Sequence, residues 1–361
     1  MRTIKVTLKD HPYPIVIGRN IFPQLGKYLH GLGLGESALI ITSPNIRKLH
    51  GDMLINSLSQ SRINASFLEV PDGEKSKSAV MAMKLLERIV RADVGKGVFL
   101  IAFGGGVIGD LTGFVASIYK RGIPYVQVPT TLLAQIDSAI GGKVAIDLSV
   151  GKNLVGAYHQ PKIVFSDVSV LSTLDVRQLR NGLAEAIKYG IIADKDLFEF
   201  IERNDIKLLS RDLNSLEELV DACSRIKASI VIKDEKETKN LRTILNFGHT
   251  LGHAIEAAGK YQIYQHGEAI ALGMRMAAEI SKRLGMIEDR DAFLINKLLT
   301  AVGLPTKLAK ISQEDILSHM QHDKKFIKGK NRFVLVPKIG SVKIVEGVSP
   351  AIIKAAIKRF S

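Results

Sequence analysis

Short runs of β-branched and aliphatic residues recur through the first half of the chain: IKVTL, PIVIG, ALIIT, ASFLEV, GVFLIAF, PYVQVP and KIVFSD. Amphipathic stretches such as SAVMAMKLLERIVRA separate several of them. Strands that alternate with helices predict a mostly parallel sheet with helices on both faces. Near residue 170 the period changes. From LSTLDVRQLRNGLAEAIKYGII to about residue 321 almost everything repeats with helical spacing, broken at GKYQIYQ and VGLP. A late β-ribbon, NRFVLVPKIGSVKIV, and a terminal helix close the chain. The expected architecture is an α/β domain over residues 1–169 and a mainly helical domain over 170–361, with ligands in a cleft between them.

The 361 residues suffice for two domains, and 46% hydrophobic with 24% charged residues is ordinary for a globular enzyme. A single cysteine, Cys223, excludes a disulfide framework and fits a cytoplasmic location. MRTIKVTLKD reads as a strand without an apolar core, so no signal peptide is expected, and no apolar run is long enough to span a bilayer. The net charge of +14 is spread among acids, as in KDEKETKNLR, and Trp is absent. With no nucleic-acid-binding motif, that excess points instead to small anionic ligands, which it would attract and concentrate.

GVFLIAFGGGVIGDLTGFVAS reads as a buried strand, a glycine turn and a helix. Gly104, Gly106 and Gly109 satisfy G-x-G-x-x-G, which lets backbone N–H groups at a helix start approach a pyrophosphate. The loop follows a middle strand, and no acid sits about 20 positions on to hold a ribose. Two more loops, DGEKSK after ASFLEV and PTTLLAQIDSAIGGK after PYVQVP, should share the carboxyl edge of the sheet with it. Three polar or glycine-rich loops on that edge predict a Rossmann-like domain that binds a dinucleotide.

GGKVAIDLSVGKNLVGAYHQP sets Lys143, Lys152 and Asn153 behind two glycines in a stretch otherwise short of charge, which favours gripping an anion. In GLAEAIKYG, Glu185 and Lys188 fall on one helix face among apolar neighbours. LNFGHTLGH puts His249 and His253 four apart, but Thr250 follows His249, so the metalloprotease pattern H-E-x-x-H is not met. At helical spacing Arg242, Asn246, His249 and His253 form one stripe, opposite Ile244, Phe247, Leu251 and Ile255. Solvated helix faces run to Lys and Glu, so this stripe reads as the wall of a polar site. His266 opens the next helix in QHGEAIALGM. Glu185, His249, His253 and His266 are four candidate ligands for a catalytic divalent ion, and spacing alone does not choose three.

Seven segments in this order, DGEKSK, GGGVIGDLTGF, VPTTLLAQIDSAIGGK, GKNLVGAYHQP, LAEAIKYG, LNFGHTLGHAIE and HGEAIALGM, make the chain resemble the 3-dehydroquinate synthases, sugar-phosphate cyclases, over almost its whole length. That family turns 3-deoxy-D-arabino-heptulosonate 7-phosphate into 3-dehydroquinate and phosphate, the second step of the shikimate pathway and of aromatic amino acid biosynthesis. It uses bound NAD+ and one divalent metal (Zn2+ or Co2+). A ring hydroxyl is oxidised, phosphate leaves, the hydride returns, and ring opening precedes an internal aldol closure. The resemblance makes Glu185, His249 and His266 the metal ligands and puts His253 on substrate. It places Lys143, Lys152 and Asn153 near the phosphate, Arg242 and Lys227 on the carboxylate, and Asp137, Lys188 and Asn246 on hydroxyls. Cofactor contacts are implied for Asp72, Gly73, Glu74, Lys75 and Lys77; for Gly105, Gly106, Val107, Ile108, Gly109 and Asp110; for Thr130 and Thr131; for Lys143 and Lys152; and for Val170 and Thr173.

The chain departs from the family pattern in places. DEKETKNLR is one residue longer than usual and lacks a glycine before Arg242, and ITSPN lacks the acid expected for the adenine-side ribose, leaving Ser43 and Asn45 there. In HDKKFIKG a lysine should reach substrate, with Lys325 preferred to Lys324. Arg121, between a helix and the next strand, belongs at the amino edge of the sheet, yet the family's matching arginine contacts substrate phosphate. A homodimer in which Arg121 enters the partner's site reconciles the two. Competing readings are a sibling cyclase acting on another phosphorylated sugar and a metal-dependent polyol dehydrogenase, which would release NADH.

Overall fold

The computed structural model describes residues 1–93, 97–321 and 331–361. The first part of the chain runs β1 (Arg2–Val6), β2 (Tyr13–Gly18), α1 (Phe22–Gly31), β3 (Ser37–Thr42), α2 (Pro44–Gln60), β4 (Asn64–Glu69), α3 (Ala79–Ala92), β5 (Phe99–Gly104) and α4 (Gly106–Ile118). It continues through β6 (Tyr125–Pro129), a π-helical turn (Ala134–Ser138), β7 (Lys143–Leu148), β8 (Gly151–Tyr158) and β9 (Val164–Asp167). Helices α5 (Val176–Ala193), α6 (Lys195–Arg203), α7 (Asp205–Leu209) and α8 (Leu213–Lys233) follow. After a 3-10 segment (Leu241–Asn246) come α9 (His249–Ala258), α10 (His266–Arg283), α11 (Asp289–Ala301) and α12 (Gln313–Gln321), then β10 (Arg332–Lys338), β11 (Ser341–Glu346) and α13 (Pro350–Arg359).

The seven expected strands are the seven of one sheet, in the order β1-β2-β9-β6-β5-β3-β4. Only the β1–β2 pair is antiparallel. Strands of a parallel sheet covered on both faces are apolar throughout, and every residue of β5 and β6 is buried. Leu39, Ile41, Leu100 and Ala102 pack on one face with Leu85 and Ile89 of α3 and Leu111 and Val115 of α4. On the other, Phe103 meets Phe22 of α1 edge-on, ring centroids 5.9 Å apart. The chain steps from β3 out to β4, then returns across β3 to β5, so the strand order reverses between β3 and β5. Ligands of open α/β sheets bind outside the carboxyl ends of the strands at such a reversal. The loops after β4, β5 and β6 all leave that edge, as their sequences predict.

Chain contacts divide the molecule into two units, residues 1–175 with 216–236, and residues 176–215 with 237–361. The single boundary expected at 169/170 therefore needs correction, because most of α8 belongs to the α/β unit. Long-range polar contacts hold it there: Arg2 and Arg19 pair with Asp221 and Glu217, and Ser224 Oγ donates to the Gln135 carbonyl. In the second unit α10 is buried on nearly all sides, as the central helix of a bundle must be. It packs on α5, α9, α11, α13 and β10 of the expected β10–β11 ribbon. Among the described residues no helix is long and apolar enough to cross a membrane.

Candidate functional site

In the second unit, close backbone contact sets the spacing of the polar residues. Gly248 takes φ 77°, a left-handed conformation that ends the 3-10 segment and starts α9. The expected single helical stripe from Arg242 to His253 is therefore two pieces, a 3-10 turn carrying Arg242 and Asn246, and α9 carrying His249 and His253. A Cβ added to Gly273 of α10 would lie 2.0 Å from the Gly248 carbonyl, so only glycine there lets α9 and α10 touch. At the start of α10, Gly267 N donates to Asn181 Oδ1 of α5, one turn before Glu185. Gln265 and Glu268 close a capping box around the same helix start. His266, the first residue of α10, is thereby pinned beside Glu185.

The result is a converging donor set. The ligand atoms of Glu185, His249 and His266 all lie within 4.8 Å of one another. Both imidazole Nε2 atoms are 3.5 Å from Glu185 Oε1. His249 Nδ1–H donates to the Phe247 carbonyl at 3.0 Å and His266 Nδ1 lies 3.2 Å from Glu256 Oε2. Each ring is held by its outer nitrogen and turns the other inward, as metal-binding histidines do. Glu185 is only 1% exposed, and neither of its oxygens has a hydrogen-bond partner of good geometry, although Lys188 Nζ rests against Oε2. Burial pushes the Glu185 carboxyl up, but Lys188 and then His266 outweigh it and hold it down at about 2. Burial disfavours a charged His266, yet Glu185 and Glu256 raise it to about 10. One carboxylate oxygen with two imidazole nitrogens, all within 4.8 Å, is a donor set that could hold a divalent ion and suits zinc or cobalt.

His253 is exposed, one turn beyond His249, with ring centroids 5.2 Å apart. Its ligand atom groups instead with those of Glu256 and His266. Arg242 is buried at 3% exposure. The residue before Leu241, Asn240, adopts φ 59°, a left-handed turn that asparagine tolerates better than most side chains. Asn246 is half-buried in the same 3-10 segment. Glu256 escaped the sequence reading. Its signal was present, since it stands seven residues beyond His249 and hence on the same helix face.

In the α/β unit, Gly105 caps α4 with no side-chain cap, leaving the first N–H groups of a 13-residue helix open at the point of strand reversal. A Cβ on Gly105 or Gly106 would come within 3.0 Å of Thr131 Cγ2 or Ser138 Oγ, so side chains would fill this cradle. Gly109 lies against Gln127, giving the close helix–strand packing of a dinucleotide loop. Ile108 points its side chain into the core, so it offers only backbone, while Val107 is half-buried at the rim. Asp72, Gly73, Glu74 and Lys75 are exposed at the same edge, with Gly73 at φ 98°. Thr130 is buried, and Thr131 Oγ1 accepts from Ala134 N. Val170 is buried and Thr173 Oγ1 lies 2.9 Å from His50 Nε2. Ser43, considered for the ribose, caps α2 instead by accepting from Ile46 N, while Asn45 is exposed.

Lys77 is nearly buried, reaching Asp110 Oδ2 at 2.5 Å and also Asn153 Oδ1. Burial raises the Asp110 carboxyl to about 6 despite the Lys77 ammonium. Burial alone would lower Lys77, but Asp110 more than reverses this. The segment expected to gather Lys143, Lys152 and Asn153 folds as the β7–β8 hairpin. Lys143 pairs with Tyr158 at its open end, while Lys152 follows Gly151 at its turn, so the two lysines stand at opposite ends. Lys152 lies 3.7 Å from Glu74. Asp137, in the π-helical turn, pairs directly with Lys227 of α8. Arg121 is exposed just before β6, at the amino edge. Lys324 and Lys325 lie outside the described residues.

Comparison with known proteins covers both units of the chain. Residues 67–181 match the family model for the 3-dehydroquinate synthase N-terminal region, and residues 182–326 match the C-terminal one. A 3-dehydroquinate synthase of Desulforamulus reducens is 43% identical over 99% of this chain and 100% of its own length. A 2-deoxy-scyllo-inosose synthase solved with carbaglucose-6-phosphate, NAD+ and Co2+ superposes with a TM-score of 0.90 at 27% identity, covering 100% of both chains. A 2-epi-5-epi-valiolone synthase from Streptomyces hygroscopicus subsp. jinggangensis, with NAD+ and Zn2+ bound, gives 0.89 at 25% identity over 98% of both. The two family-model matches and the near-full-length relatives show it: the chain belongs to the 3-dehydroquinate synthase family.

Proposed function

We propose that the protein converts 3-deoxy-D-arabino-heptulosonate 7-phosphate into 3-dehydroquinate and phosphate in the shikimate pathway. The observation that carries this reading is the convergence of Glu185, His249 and His266 in a chain of this family. These three residues would hold one divalent ion, which when bound supplies Lewis-acid polarisation of a substrate hydroxyl. The open N-terminus of α4 would hold the pyrophosphate of NAD+, which supplies the acceptor for a hydride that is later returned. The chain's own residues do the rest. Lys188, buried against Glu185, offers an ammonium for a neighbouring hydroxyl. His253, exposed beside His249, is placed to take and return a proton at its ring nitrogen. Lys152 at the hairpin turn supplies positive charge for phosphate, beside Lys77 and Glu74 at the same edge, whereas Lys143 stands at the far end of the hairpin. Lys227, Asn153 and Asp137 are already engaged within the chain, so substrate would exchange with those contacts.

The enzyme would act in the cytoplasm as a homodimer, with no nucleic-acid partner and a small anionic sugar phosphate as substrate. Purified protein supplied with NAD+ and Zn2+ or Co2+ should release phosphate from the heptulosonate phosphate and not from glucose 6-phosphate, with no build-up of NADH. Chelation should abolish turnover. His249→Ala should lose the ion, whereas His253→Ala should keep it and lose activity. Stoichiometric NADH release would point to a dehydrogenase and sink the assignment.

A further inference from the structure

We propose that Glu256 is a positioning residue of the metal centre: its carboxylate accepts a hydrogen bond from His266 Nδ1–H and so aims Nε2 at Glu185 and His249. The inference rests on the metal-centre reading above and adds a residue to it. Glu256 is 5% exposed within α9, where an apolar side chain would avoid the cost of burying a carboxylate. Its Oε2 lies 3.2 Å from His266 Nδ1. An ionised carboxylate only accepts, so the proton of a neutral ring must sit on Nδ1, and the Nε2 lone pair is left for the ion. His249 is fixed in the same sense by a neutral acceptor, the Phe247 carbonyl. The two histidines are thus held by partners of different charge, and the carboxylate makes His266 the more electron-rich donor.

Glu256 could instead be a ligand itself, since its oxygen also lies within 4.8 Å of ligand atoms on His253 and His266. The geometry disfavours that set. It would draw on His266 through the nitrogen that faces Glu256, whereas the Nε2 atoms of both histidines already converge on Glu185 Oε1.

The test uses the full chain, stripped of metal by a chelator and titrated with Co2+ against a chromophoric competitor. Glu256→Gln keeps an acceptor oxygen without its charge and should weaken Co2+ binding about tenfold; Glu256→Ala should weaken it towards about a hundredfold. Both should still bind one ion per chain, with the visible absorption intensity of wild type, because the ligand number is unchanged. NAD+ affinity of the metal-free variants should match wild type. Wild-type Co2+ affinity in Glu256→Gln overturns the proposal even where the alanine variant does not fold. Loss of the cobalt spectrum in Glu256→Gln, as expected for His249→Ala, also overturns it and makes Glu256 a ligand. Failure of the parent reading looks different, because wild type would then bind no ion, or His249→Ala would bind it as tightly as wild type.

Discussion

The Asp93 carboxylate accepts from the backbone N–H groups of Gly97 and Val98, from Tyr119 Oη–H at 2.9 Å and from Lys120 Nζ at 2.6 Å. It sits at the C-terminal end of α3 and holds the turn that presents Arg121. That turn needs holding. Lys120 and Arg121 adopt φ 47° and 66°, a left-handed pair that costs roughly 1–2 kcal/mol per non-glycine residue. Burial alone would raise the Asp93 carboxyl, but its bonds from Lys120 and Tyr119 reverse this and hold it below 3.8. The sign follows: the stabilisation is full above the unfolded value and is lost as pH falls through the folded one. Asp93→Ala should cost about 2–4 kcal/mol by leaving the buried Tyr119 hydroxyl and Val98 N–H unpaired. Asp93→Asn should cost less, and its deficit in urea denaturation should be full at about pH 7 and shrink below about pH 4. A deficit that stayed constant down to about pH 3 would mean that the carboxylate charge contributes nothing.

Between elements, the proposed metal centre depends on how closely α9 can approach α10, and Gly273 sets that distance. In Gly273→Ala the new methyl would meet the Gly248 carbonyl at 2.0 Å, so the helices must part. Overpacking of this kind costs about 1–3 kcal/mol, and His249 and His266 separate with the helices that carry them. The variant should therefore lose both stability and bound ion. Gly31→Ala, where an added Cβ meets nothing within 4 Å, should stay within about 0.5 kcal/mol of wild type and keep its metal. A Gly273→Ala protein with a full metal complement would separate packing from metal binding. The sheet that positions the glycine cradle was legible because both-face burial writes itself as apolar runs, and all seven were readable. The β7–β8 hairpin was not, since KVAIDL and GKNLVGAY dilute their β-branched residues with glycine, lysine and asparagine. Periodicity carried His249 and His253 correctly but ran through the break at Gly248, because a left-handed glycine looks like any other in a sequence. The return of α8 to the α/β unit rests on pairs such as Arg2–Asp221, which no local pattern announces.

For the molecule as a whole, Arg121 poses the remaining problem of reach. It precedes β6, whereas Lys152 and the glycine cradle belong to the loops and hairpin of the opposite edge. Strands of this length separate the two edges by roughly 17–20 Å, too far for an arginine of the same chain. Arg121 is exposed there, on a left-handed backbone beside Lys120, which the Asp93 carboxylate holds. From that edge Arg121 would reach substrate only in the site of a second copy related by a two-fold axis. A helix-capping arginine, by contrast, contributes well under about 1 kcal/mol and could be replaced without loss of turnover. Arg121→Ala and Lys152→Ala chains should each be inactive alone. If Arg121 acts in the partner's site, a mixed dimer carries both lesions in one site and neither in the other. Random subunit exchange makes half of the dimers mixed, each with one intact site of two, so activity should return to about a quarter of wild type. Light scattering or an exchange of labelled subunits would establish that mixing has occurred. Demonstrated exchange without recovery would confine Arg121 to its own chain and remove the main argument for a shared site.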